Sequence, residues 1–226
     1  HLEHRRQRQM CIRDRTIALP MAFSREIVAP HLGGFRELYP DIRLDVRIGS
    51  GQPDLLRDQI DLAVIVGAAP NSDLMQQRLI NTPLIWIASP ETAAGLPASF
   101  ESKGTGEMIT VAETRYVGNV VEIVTPSGEQ AGVGLDLSRL VQVNDPLIVR
   151  DMVASGCGLS FAPRIYCETG LADGTLVRMY PDCQIRRESS LSLLFPGHRL
   201  LPLKARVFID FLKEICGHQP TDGDIL

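Results

Sequence analysis

Val143-Asn144-Asp145-Pro146, followed after one helix length by Gly156-Cys157-Gly158-Leu159-Ser160-Phe161-Ala162-Pro163, is the stretch whose reading decides the fold. Asp145 offers a carboxylate to unpaired backbone N–H groups, and Pro146 can take the first helical position without losing a hydrogen bond. A helix is therefore expected to run to Ser155 and end at Gly156, with a buried strand at 159–162. A second stretch repeats the plan: Tyr39-Pro40-Asp41 leads into Asp54-Leu55-Leu56-Arg57-Asp58-Gln59-Ile60-Asp61-Leu62-Ala63-Val64. Each reads as strand, helix, strand with a polar turn between, so the chain is expected to be α/β with two similar halves and a cleft.

Working outward, Thr16-Ile17-Ala18-Leu19 reads as a short buried strand stopped by Pro20, and Ser24 as the cap of the helix that follows. Ile27, Val28, His31, Leu32, Phe35 and Leu38 fall on one helical face, interrupted by Pro30, which removes a backbone donor and kinks the helix. Ile42, Leu44, Val46 and Ile48 alternate with Arg43, Asp45 and Arg47 as in a half-buried strand. After a short helix from Asp54, the apolar run Leu62–Val66 is expected to be a parallel strand covered on both faces. The apolar run 84–88 ends at Ser89-Pro90, where the first crossing to the second lobe is expected, and 191–195 reads as the return. Leu203, Val207, Phe208, Phe211, Leu212 and Ile215 form the apolar stripe of a last helix opened by Pro202, which should dock on the first lobe. Between 90 and 136 the pattern weakens, because Gly104, Gly106, Gly118, Gly128, Gly132 and Gly134 puncture what read as short strands.

Composition narrows the functional classes. At 226 residues the chain can bury a core without disulfides or metal. Residues 1–15 carry five Arg against Glu3 and Asp14 and read as a basic tail. The remainder holds 18 basic against 25 acidic residues, a net −7 that disfavours binding to a phosphate backbone. Cys11, Cys157, Cys167, Cys183 and Cys216 contain no C-x-x-C spacing, and reduced thiols in a cytoplasmic setting are expected. No apolar run approaches the roughly 20 residues needed to span a bilayer.

The sequence contains none of the H-E-x-x-H, G-x-S-x-G, G-x-G-x-x-G or G-x-x-x-x-G-K patterns, so no metal, no cofactor and no catalytic residue is expected. The five histidines are scattered, and His31 reads as a hydrogen-bonded boundary residue. Ligands in α/β folds gather beyond the carboxyl ends of strands. Those loops hold Pro20, Met21, Ala22, Phe23 and Ser24; Gly49, Ser50, Gly51 and Gln52; Val66, Gly67 and Ala68; and 143–145. Ser24 with the first helix N-terminus would suit a small carboxylate, with Ser50 and Gln52 orienting it. Asp145 would repel such an anion unless it caps its own helix. Cys157 and Cys167 read as small buried hydrophobes rather than a redox pair.

Blocks at 16–24, 35–41, 54–66, 79–90 and 143–163, in that order, resemble those of the effector-binding domain of LysR-type transcriptional regulators. That resemblance implies two Rossmann-like lobes joined by two crossover strands, like type 2 periplasmic binding proteins, and side-by-side dimers. It also implies that a winged helix-turn-helix, not visible in this sequence, makes the DNA contacts. By position in the family, Thr114, Arg115, Asn144 and Phe161 are the second lobe's effector contacts, with Arg115 available to pair an anion. The expected layout is a tail at 1–15, lobe I at 16–89 plus 191–217, lobe II at 90–190 and a C-terminal tail at 218–226. The leading reading is a cytoplasmic, homodimeric, non-enzymatic sensor of a small molecule bound in the inter-lobe cleft. The alternatives are a transporter's solute receptor on the same fold, or an enzyme for which Glu113 and Asp145 are the acid–base candidates.

Overall fold

The computed structural model describes residues 15–49, 51, 53–69, 74–100, 102–196 and 203–217. Apart from Arg15, the expected tails lie outside them, as do Ser50, Gln52 and Pro202. The chain forms two compact units, one from 1–80 with 190–226 and the other from 81–189.

The first unit opens with β1 (Arg15–Pro20), then a helical segment made of α1 (Met21–Phe23), a π turn (Ser24–Val28), a 3-10 turn (Ala29–His31) and α2 (Leu32–Leu38). Pro30 sits in the 3-10 turn, where its missing N–H and ring break the α-helical hydrogen-bond ladder, as the sequence predicts. β2 (Leu44–Gly49), β3 (Leu62–Val66) and the 15-residue β4 (Leu74–Ala88) follow. β1 pairs in parallel with both β2 and β3. The expected helix after Asp54 is instead a hydrogen-bonded turn, with Gln59 at φ 53°. Asp54 accepts from the Arg57 N–H, an interaction that stabilises a turn as readily as a helix start.

The second unit adds α3 (Pro90–Gly95), α4 (Ser102–Met108), β5 (Val111–Glu113), β6 (Val120–Val124), β7 (Gln130–Gly134), β8 (Val141–Val143), α5 (Pro146–Ala154), β9 (Ser160–Pro163), α6 (Glu168–Asp173), β10 (Val177–Met179) and β11 (Gln184–Ile185). β12 (Glu188–Pro196) returns the chain, and α7 (Leu203–Gly217) closes it. β12 runs antiparallel to β3, completing the order β12-β3-β1-β2. In the second unit β4 pairs antiparallel with β9 and β10, β5 pairs in parallel with β8, and β6 is flanked by β7 and β11. The fold is the expected one, two α/β units linked by two strands. The sequence places the first crossing at Ser89-Pro90. In the structure the second unit starts at Asn81, because Leu84–Ile87 of β4 already pair with β9.

Strand alternation sorts the cores. In the first unit Ala18, Ala63, Ile65 and Leu194 share a core with Leu55 and Ile60. Leu62 and Val64, the intervening residues of β3, are also buried, so this strand is covered on both faces as expected. Phe208 and Phe211 of α7 stack on Phe35 of α2 at 5.3 and 4.9 Å, docking the last helix on the first. β2 departs from the reading: it is an edge strand, and Ile48 is half exposed. Leu38, assigned to the buried helical face, is 74% exposed at the end of α2, whereas Phe35 is buried.

In the second unit Leu84, Trp86 and Ala88 enter one core while Ile85 and Ile87 enter another. α4 was hidden from sequence reading by Gly104 and Gly106, which have poor helix propensity. Gly106 is required there, because a Cβ would overlap the carbonyl oxygen of Gly134 in β7. Gly106→Ala should therefore destabilise the fold by about 1–3 kcal/mol through overpacking, whereas an ordinary helical Gly→Ala change stabilises by up to about 1 kcal/mol. Urea melts would decide between the two signs.

Candidate functional site

The predicted contacts of the first unit lie at the carboxyl ends of parallel strands: Pro20 ends β1 and Met21 follows it, Gly49 ends β2 and Gly51 lies just beyond, and Val66 ends β3 with Gly67 next. Pro20, Gly49 and Gly51 line one hollow of about 170 Å³ with Arg47. Arg47 donates to the Asp58 carbonyl at 2.9 Å and so fixes that wall. Gly67, at φ 83°, donates to the Ser190 carbonyl at 2.8 Å and accepts from Gln76 Nε2. Ala22 and Phe23 are buried in the core and Met21 is half exposed. Ser24 is not the helix cap: the helix starts at Met21, with Pro20 before it in extended geometry and no side-chain cap. Its hydroxyl is instead buried in the π turn, without a hydrogen-bond partner among the described residues.

In the second unit the parallel pair β5 and β8 ends with Glu113 beside Val143, and the Thr114 N–H donates to the Val143 carbonyl at 2.7 Å. This register brings Thr114, Arg115 and Asn144, all exposed, to one end of the paired strands. Asp145 does cap its own helix, accepting from Leu147 N at 2.8 Å and Ile148 N at 3.4 Å. Its charge is thus held by the amino end of α5.

Beneath these residues lies a group the sequence singled out only as an acid–base candidate. Glu113 is 2% exposed, with Arg115 Nη1 3.1 Å from its Oε1. Neither carboxylate oxygen receives a well-directed hydrogen bond among the described residues. Burial pushes its pKa up to about 7; Arg115 opposes the rise and the Asp145 carboxylate adds to it. Tyr116 and Tyr166 face the same charges, and burial raises both phenols above their ordinary range.

Phe161 does not join this polar group. It packs edge-on against Trp86 at 5.5 Å and forms part of a separate hollow of about 350 Å³ in the same unit, with Leu84, Tyr116, Val121, Ile185 and Arg187. Ile185 and Arg187 carry no sequence signal, since they come from a two-residue strand and the turn beyond it.

Cys167 is buried as expected and its pKa is pushed up to about 12 by burial, but Cys157 is exposed, because the Gly156-Cys157-Gly158 turn faces outward. His31 Nδ1 lies 2.9 Å from the Ile27 carbonyl. Among the described residues no cluster of His, Cys, Asp and Glu could hold a metal, and no helix is long and apolar enough to cross a membrane.

Residues 15–217 match the family model of the LysR substrate binding domain. The chain is 26% identical over 204 residues to the HTH-type transcriptional regulator PtxR of Pseudomonas aeruginosa, covering 90% of this chain and 64% of that protein. It is also 26% identical over 203 residues to the HTH-type transcriptional regulator CrgA of Neisseria meningitidis, covering 89% of this chain and 66% of that protein. It therefore spans just under two thirds of these curated relatives. Among solved structures, the regulatory domain of AphB in Vibrio vulnificus is similar at a TM-score of 0.67 and 25% identity, over 88% of this chain and 96% of that one. The CrgA regulatory domain from Neisseria meningitidis shares the fold at a TM-score of 0.74 and 24% identity, over 89% and 98%.

The Glu113 environment sets a stability prediction. Its pKa is raised on folding, so the folded state holds the proton more tightly and stability falls as pH rises from about 4.5 to about 7. Glu113→Gln should flatten that dependence and stabilise the protein by about 1–3 kcal/mol at pH 8. Urea melts from pH 5 to 8 would check this; unchanged slopes in the variant would refute it.

Proposed function

The chain belongs to the LysR substrate-binding domain family, and we propose that it senses a small-molecule effector through residues at the carboxyl ends of its strands. The family match across 15–217, with relatives named as transcriptional regulators, carries this reading. In the first unit the groups proposed to meet the effector are the backbone from Met21 to Ser24, Ser50, Gly51, Gln52, Val66 and Gly67. In the second they are Thr114, Arg115 and Asn144, with Phe161 packed against Trp86 in the separate hollow.

Arg115 is the proposed anchor for a carboxylate. Its guanidinium is partly exposed and already neighbours Glu113, so an incoming anion competes with a buried carboxylate that readily takes up a proton instead. The domain is proposed to bind without turnover, since the capped Asp145 and the salt-bridged Glu113 hold structural interactions. The acidic excess outside residues 1–15 supports leaving DNA contact to a winged helix-turn-helix beyond this domain, in a cytoplasmic setting. Effector binding then acts through a coupling of about 1–3 kcal/mol between domain states.

Homodimerisation is proposed, over a monomeric transport receptor, from the match to a family whose listed relatives are transcriptional regulators. Light scattering at roughly tens of micromolar should report a dimer; a strict monomer would favour the receptor reading. A thermal-shift screen of amino acids, aromatic acids and dicarboxylates should find a stabilising ligand, because saturation at 100 times Kd adds about 2.7 kcal/mol. Arg115→Gln should weaken that ligand about tenfold or more. An unchanged affinity would remove Arg115 from the site, and turnover of the ligand would overturn the sensor reading.

A further inference from the structure

We infer that the second unit carries a ligand site of its own: the hollow behind Arg187 takes a small aromatic or branched aliphatic carboxylate. At about 350 Å³ it falls within the size range of small-molecule sites. Its floor is apolar and well packed, since Leu84, Tyr116, Val121, Phe161 and Ile185 are each between 1% and 6% exposed. Such a floor offers dispersion contacts to an apolar body.

The mouth supplies the polar end. Arg187 stands 5.8 Å over the centroid of the Tyr116 ring, and it has no carboxylate partner among the described residues. A guanidinium held against an aromatic face is preorganised and keeps its N–H fork free for an anion. Its neighbour Arg186 is already engaged, donating to Gln130 Oε1 at 3.0 Å with Glu122 at 3.8 Å. Counting Arg186, Arg187 and Glu122, the rim carries one net positive charge, which selects an anion over a cation.

The site also touches both connecting segments. Leu84 belongs to β4, and Arg187 immediately precedes β12, the two strands that carry the chain between units. Occupancy would tie these segments together, giving a second input besides the carboxyl-end residues proposed above, and it does not require that reading to hold.

Methyl NMR of the whole chain, titrated with phenylacetate, isovalerate and the neutral 2-phenylethanol, tests this. Concentrations to about 20 mM cover the millimolar affinity expected of a ligand of roughly ten heavy atoms. Both carboxylates should shift the methyls of Leu84, Val120, Val121 and Ile185 and leave Ile27, Val28 and Val66 unmoved. Arg187→Gln should weaken the response about tenfold, and Val120→Trp, at an exposed rim position, should abolish it. No shift at the hollow, equal response to 2-phenylethanol, or shifts that survive Val120→Trp would overturn the site. Shifts confined to the first unit's methyls would do so too, and would support the effector residues proposed above instead.

Discussion

Two-sided burial of a few central strands is the constraint on which the rest of this structure depends. In the first unit β3 is covered on both faces, so its backbone must be paired on both sides and neither face tolerates a polar residue. In the second unit the latter half of β4 does the same. Leu84, Trp86 and Ala88 serve one core and Ile85 and Ile87 the other, while β9 and β10 take up its backbone groups. A one-residue slip of β4 would exchange the contents of two cores at once, so its register is strongly specified. Since β4 also leaves the first unit, that register fixes where the second begins.

The elements read correctly from sequence are those whose local chemistry and tertiary environment agree. The run Leu62–Val66 is apolar because both of its faces are covered, and Asp145-Pro146 opens α5 because capping is a local interaction that needs no distant partner. The errors arise where tertiary contacts decide. Ser24 has the chemistry of a cap, yet Pro20 ends β1 so abruptly that the helix starts four residues earlier than a Ser24 cap would place it, and the hydroxyl is carried inside. Leu38 and Ile48 fit apolar periodicities but lie beyond the reach of the core. α4 contains glycines that argue against a helix, and only the backbone of β7 explains Gly106.

The candidate site was legible to the same extent. Thr114, Arg115 and Asn144 are brought together by the β5–β8 register, a pairing of segments some 30 residues apart that the family resemblance anticipates and periodicity does not. Glu113 was visible as a carboxylate, but its environment was not, because burial depends on packing from several elements. Phe161, expected among the effector contacts by family resemblance, is turned toward Trp86 by strand alternation in β9 and lines the hollow.

The chain order of the two units bears on how the protein is made. The second unit is one uninterrupted stretch, 81–189, whereas the first is assembled from both flanks. During synthesis from the amino end, the second unit is whole while β3 still lacks its β12 neighbour and Phe35 still lacks α7. Until α7 has left the ribosome, the nascent first unit presents an unpaired strand edge and the uncovered rings of Phe35 and Tyr39. That interval is when a chaperone would be needed most.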